Sequence, residues 1–165
     1  MMKKRSVAAV LGSLAVLGAV LSAGGTASAA TAAPAKYDHA TAAALLKAAG
    51  IAWTSSGNCS DRDTTTCTSF EQINKTTVNG IIGFKNLSKC GITITGGTEK
   101  GHASGTYSHW NGYKVDIRPT TCVDDWIKKN MEYDGKRSDG APMYKSVAGN
   151  VYAKESSHWD ILYVV

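Results

Sequence analysis

Four cysteines placed behind an export signal constrain this chain more than any other feature. Lys3, Lys4 and Arg5 form a positive head, an apolar stretch runs from Val7 to about Leu21, and Ala27-Ser28-Ala29 supplies a small-residue cleavage site. The apolar run falls short of the roughly 20 residues that a bilayer span needs. Residues 1–29 therefore read as a secretory signal peptide, and 30–165 as a single secreted domain with no membrane partner after cleavage. Cys59, Cys67, Cys90 and Cys122 all lie in the exported part. An even cysteine count in an oxidising compartment reads as two disulfides. Of the three possible pairings, the favoured one joins Cys59 to Cys67 across a polar loop and Cys90 to Cys122 between a helix end and a later segment. Short paired cysteine spacings of the zinc-thiolate kind are lacking.

Export also changes the charge. The chain carries 18 Lys+Arg and 13 Asp+Glu, a net charge of +5; removing three basic residues and no acidic one with the signal leaves +2. No Lys/Arg cluster suits nucleic acid, so a nucleic-acid partner is not expected. About 135 residues remain, enough for one core, and a monomer is expected.

Along the chain, residues 30–37 read as a frayed start. Ala40–Ala49 is rich in helix formers and Gly50 stops it. Thr54–Thr68 reads as loop. Ser69 and Gln72 have capping-box spacing and predict a second helix through Ile73, Val78, Ile81, Ile82 and Leu87, weakened by Gly80 and Gly83. From Gly91 the pattern turns to strands. Ile92–Thr95 alternates and ends at Gly96-Gly97; Tyr113–Ile117 alternates and ends before Pro119. Thr121 is placed to cap a helix with Asp124 and Asp125 early and Lys128 and Lys129 late. Asp134–Pro142 reads as a loop. Strands follow near Met143–Val147, Val151–Lys154 and Trp159–Val164, with Gly149-Asn150 as a tight turn. The expected fold class is α+β, with N-terminal helices packed on a mainly antiparallel sheet.

Two short patterns carry the chemistry: His109-Trp-Asn-Gly112-Tyr-Lys-Val-Asp116 and Glu155-Ser-Ser-His158. A catalytic zinc site needs three nitrogen or oxygen ligands and an open position for water. His109, Asp116 and His158 meet that need, and Glu155 can serve as general base. Strand alternation puts Tyr113, Val115 and Ile117 on one face, with Lys114 and Asp116 on the other, so Asp116 would point into a cleft. Gly112 lets the backbone turn sharply between the two ligands.

At these residues the chain resembles the zinc D-alanyl-D-alanine peptidases, within the wider clan of lysostaphin-type endopeptidases and the hedgehog signalling domain. Their signature is Ser-x-His-x-x-Gly-x-Ala-x-Asp followed by Glu-x-x-His; His109, Gly112 and Asp116 match the first part, and Glu155 and His158 the second. The likeness runs from about Ile92 to the C-terminus. It implies a hedgehog/D,D-peptidase-like fold and a Zn2+ cofactor on the two histidines and Asp116. It further implies water activation by Glu155 and a peptidoglycan stem-peptide substrate, hence a cell-wall-associated enzyme. Tyr107, Lys114 and Ser157 depart from the family pattern, and Ile94–Lys100 holds no counterpart of the family's upstream arginine. Lys100, His102 and Lys114 are then the expected substrate-binding residues.

Blander roles stand beside these. His109 alone could be a half-exposed loop histidine. Asp116 could pair with Lys114 or Arg118, because a mid-strand aspartate needs some cation. Glu155 and His158 could form a plain surface turn. Asp160 reads as an acceptor for a ligand histidine or, with somewhat more weight, as a solvated strand residue. Ser55, Ser56 and Ser108 lack the glycine context of a serine nucleophile. The alternative function is a non-catalytic module that binds a wall peptide or glycan on the same fold.

Overall fold

A computed structural model describes residues 32–164, so the signal-peptide reading of 1–29 lies outside the described residues. In chain order the elements are β1 (Lys36–Tyr37), α1 (His39–Ala48), β2 (Ala52–Trp53), β3 (Ile73–Asn74), α2 (Lys75–Ser88), β4 (Thr93–Gly96) and β5 (Lys114–Ile117). They continue with α3 (Thr121–Asn130), β6 (Glu132–Lys136), β7 (Pro142–Lys145), β8 (Val151–Lys154) and β9 (Trp159–Leu162). The class is α+β, as expected: a seven-stranded sheet runs β2-β4-β5-β9-β8-β7-β6, and β1 pairs separately with β3. Only β2 and β4 are parallel in the large sheet; its other pairs are antiparallel.

Alternation along the central strands divides the two faces. Val115, Ile117, Trp159 and Ile161 join Ala42, Leu46, Val78, Ile81, Phe84, Val123 and Ile127 in one core. Lys114, Asp116 and Asp160 therefore face the other way. Gly80 is the reason α2 can lie so close: a Cβ there would come within 2.2 Å of the Tyr163 ring. The glycine that weakens the helix in isolation is what lets it pack. Trp159 is further tied to α3, its Nε1 donating to Asp124 Oδ1 at 2.7 Å.

Both expected disulfides are present, Cys59–Cys67 and Cys90–Cys122. The second joins the end of α2 to the first turn of α3 and closes the longer loop, so it removes more denatured-state entropy.

Several local expectations need correction. α2 does not start at Ser69: Gln72 has φ +62°, outside any helix, and Asn74 is the N-cap. Ser69 Oγ instead accepts from the Glu71 amide, a local turn that competes with a helix start. The cap of α3 is Thr120 rather than Thr121, accepting from the Val123 amide at 3.2 Å. Residues 36–37 are a strand, not a frayed start. Asp134–Pro142 is not all loop, because Glu132–Lys136 pairs with β7.

Candidate metal centre

The centre begins with two neighbouring strands. In the β5–β9 register Asp116 stands opposite Asp160 and Val115 opposite Ile161. Two carboxylates directly opposed on one sheet face repel each other unless a cation stands near them. Lys114 Nζ and Arg137 Nη1 each reach Asp160 Oδ2 at 2.8 Å. Asp160 is 7% exposed, so it is a buried member of the site and not the solvated residue favoured from sequence. Among the described residues, Oδ1 of Asp160 and Oδ1 of Asp116 accept no hydrogen bond despite being buried. An orphaned buried carboxylate oxygen is costly and asks for a cation.

Histidines surround the Asp116 oxygen. His109 Nε2 lies 3.3 Å from Asp116 Oδ1, and His158 Nε2 lies 3.5 Å from the same atom. His109 is buried, not the half-exposed loop residue of its blander reading. Its Nδ1 sits 2.7 Å from the Gly97 carbonyl, which can only accept, so Nδ1 carries a proton and Nε2 is the nitrogen that holds the lone pair whenever the ring is neutral. His158 Nδ1 is 2.9 Å from Ser157 Oγ, a hydroxyl that can donate or accept, so this contact turns Nε2 toward the cleft without setting the tautomer. Burial pushes the His109 pKa down and the Asp116 pKa up. The attraction between the two, with Asp160 and the other histidines, outweighs it, so His109 is raised and Asp116 lowered.

Zinc–nitrogen bonds of 2.0–2.1 Å in a tetrahedron place ligand atoms about 3.3 Å apart. The separations from Asp116 Oδ1 to His109 and His158 fit that edge. The ligand atoms that all lie within 4.8 Å of one another, however, are those of His102, His109 and Asp116; His158 is not part of that group and matches the edge toward Asp116 alone.

A third histidine, His102, is nearly as close. His102, His109 and Asp116 offer ligand atoms within 4.8 Å of one another, a buried His-His-Asp group able to hold a metal ion. His102 Nδ1 is 3.6 Å from Asp116 Oδ2. Its ring, however, stacks on His109 with centroids 3.8 Å apart and planes 15° from parallel. Nitrogen lone pairs lie in the ring plane, so two nearly parallel rings cannot aim at one ion unless one of them turns. His102 Nε2 is also fixed 3.1 Å from Glu99 Oε1. Burial raises the Glu99 pKa, but hydrogen bonds from His102 and from the Ser69 and Gly97 amides hold it below the usual carboxylate range.

The remaining expected residues divide between two cavities. His102, His109, Lys114, Glu155 and His158 line one of about 520 Å³, together with Arg137, which was not among the expected residues. Lys100 lines an adjoining one of about 300 Å³ that shares His102 with the first. The Lys100 amino group pairs with Asp63 at 2.6 Å, and both are largely exposed. Lys114 pairs with Asp160, so neither alternative partner proposed for Asp116, Lys114 or Arg118, is the one that neutralises it. Glu155 sits on the β8–β9 turn, its amide donating to the His158 carbonyl at 2.9 Å. Its Oε2 is 3.3 Å from His158 Nε2, and its Oε1 accepts from Arg137. Arg137 escaped the sequence reading: it falls in the stretch read as loop, and no spacing ties it to Glu155.

No protein-family model, curated protein or solved structure matches this chain.

Proposed function

We propose that the protein is a secreted zinc peptidase acting on peptidoglycan stem peptides, with His109, Asp116 and His158 as ligands and Glu155 as general base. What carries the reading is Asp116 Oδ1, buried and without a hydrogen bond, standing 3.3 and 3.5 Å from two histidine nitrogens. The two disulfides suit an oxidising compartment. Among the described residues no helix is long and apolar enough to cross a membrane. When bound, zinc supplies a Lewis acid that polarises a peptide carbonyl and acidifies water. Glu155 Oε2 takes the proton of the attacking water and returns it to the leaving amine. The Gly97 carbonyl holds the His109 tautomer that keeps Nε2 free. Lys114 and His102 line the cavity beside these groups, which supports assigning them contacts with the peptide.

The test is zinc content and product analysis on purified stem-peptide fragments, for wild type and Glu155→Gln. Wild type should bind zinc and release shorter peptides, while Glu155→Gln keeps the zinc and releases none. Binding of fragments without cleavage by either protein would instead establish the binding-module alternative. Failure to take up zinc would end the metal reading.

A further inference from the structure

We propose that Arg137 is a positioning residue for Glu155, holding one carboxylate oxygen so that the other faces the metal centre. The kinetic part of this proposal rests on the peptidase reading; the conformational part does not. The connection between β6 and β7 is a compact turn. Arg137 N donates to the Ala141 carbonyl at 2.9 Å, and Gly140 N donates to the Arg137 carbonyl at 2.8 Å. Asp139 completes it, taking the Ala141 amide and Arg137 Nε on Oδ1, each at 3.1 Å. One edge of the guanidinium is thereby fixed by its own turn. The other edge points across the cleft, where Nη1 donates to Asp160 Oδ2 and Nη2 to Glu155 Oε1.

Glu155 needs such a holder. It stands on a turn with its side chain 29% exposed, and Arg137 and His158 are its partners at the carboxylate. A free glutamate there loses rotamer entropy when fixed in one orientation, so a partner has to hold it. With Oε1 taken by Arg137, Oε2 remains as the oxygen facing the His158 nitrogen. An ordinary surface ion pair would do little. This one is different, because the same guanidinium is anchored on Asp160, which is buried and also bound by Lys114. Two carboxylates from different elements are bridged by one planar fork, a geometry that lysine cannot reproduce. Asp160 keeps Lys114 when Arg137 is lost; Glu155 keeps no cation.

The experiment compares wild type, Arg137→Ala and Arg137→Lys by crystal structure and by steady-state kinetics on the stem peptides of the preceding section. In the wild-type crystal Glu155 should occupy one rotamer with Oε2 toward His158, and in both variants it should swing out or become multiple. The kcat should fall roughly tenfold to a hundredfold, as a displaced general base predicts, with KM within about twofold. Added guanidinium should restore part of the rate of Arg137→Ala. If Arg137→Ala does not fold, Arg137→Lys carries the test, since it keeps the charge for Asp160 and loses the fork. An unmoved Glu155, an unchanged kcat, or a rise in KM alone would overturn the proposal. Should wild type cleave nothing, the peptidase reading fails and the Glu155 rotamer alone decides this one. A cleaving wild type with an unmoved Glu155 in the variants has the opposite meaning.

Discussion

Gly112, midway between His109 and Asp116, has φ +82°, and a Cβ on it would stand 2.5 Å from the Gln72 carbonyl oxygen and 2.8 Å from the Asn74 amide nitrogen. Both the backbone region and the space exclude a side chain. The Gly112 carbonyl also takes the Asn74 amide at 3.1 Å and the Thr77 hydroxyl at 2.8 Å, tying the loop before β5 to the start of α2. Gly112→Ala should lower stability by roughly 2–4 kcal/mol, since strain and a backbone clash act together. A urea titration measures it, and a loss under about 0.5 kcal/mol would show that the loop relaxes freely. Sequence spacing made His109, Gly112 and Asp116 legible because all three serve one short loop and strand. The identical signal could not place His102 or Asp160. A histidine in a glycine-rich loop has no periodicity to read, and burial of an aspartate depends on which strand becomes its neighbour.

At the scale of elements, α1 contains a pH-dependent contact. Asp38 caps it, accepting from the Thr41 amide at 2.7 Å. His39 follows, with its Nδ1 accepting from the Phe70 amide at 3.0 Å and its ring stacked on Phe70. Burial lowers the His39 pKa, while the facing charges of Glu71 and Asp38 oppose that shift. The neutral imidazole is the form that accepts from Phe70. A histidine whose folded pKa lies below its unfolded value of about 6.5 contributes fully above that pH. The contribution declines as pH falls below 6.5 and levels off below the folded pKa. His39→Asn keeps a side-chain acceptor and removes the titration. The wild-type urea midpoint minus that of His39→Asn should therefore shrink between pH 7.5 and pH 5; a constant difference would refute the contact's role. Elements with strong local signals, such as α1, β5 and β8, were readable in advance. β6 was not: Glu132–Lys136 reads Glu-Tyr-Asp-Gly-Lys, largely exposed and without apolar alternation, so pairing with β7 alone defines it. β1 and β3 fail for the same reason, being two-residue strands that exist through each other.

For the whole molecule, stability and the site are linked through charge. His109, His158, Asp116 and Asp160 gather on the sheet face turned away from the helices, with orphaned oxygens on both aspartates. The folded chain brings these groups together and the unfolded chain separates them, so a cation that needs all the ligands binds the folded state alone. Linkage then raises the folding free energy by about 2.7 kcal/mol at free zinc 100-fold above Kd. For a domain of about 130 residues this corresponds to a rise in Tm of roughly 10 °C. The rise should vanish with EDTA and be absent from Asp116→Asn, whatever that substitution does to the metal-free Tm. Calorimetry with and without zinc on both proteins checks it. Equal shifts in the two proteins would mean that zinc binds elsewhere, for instance at exposed carboxylates. A shift that disappears with His102→Ala but survives His158→Ala would transfer the metal to the His102, His109 and Asp116 group and require one of the stacked rings to turn.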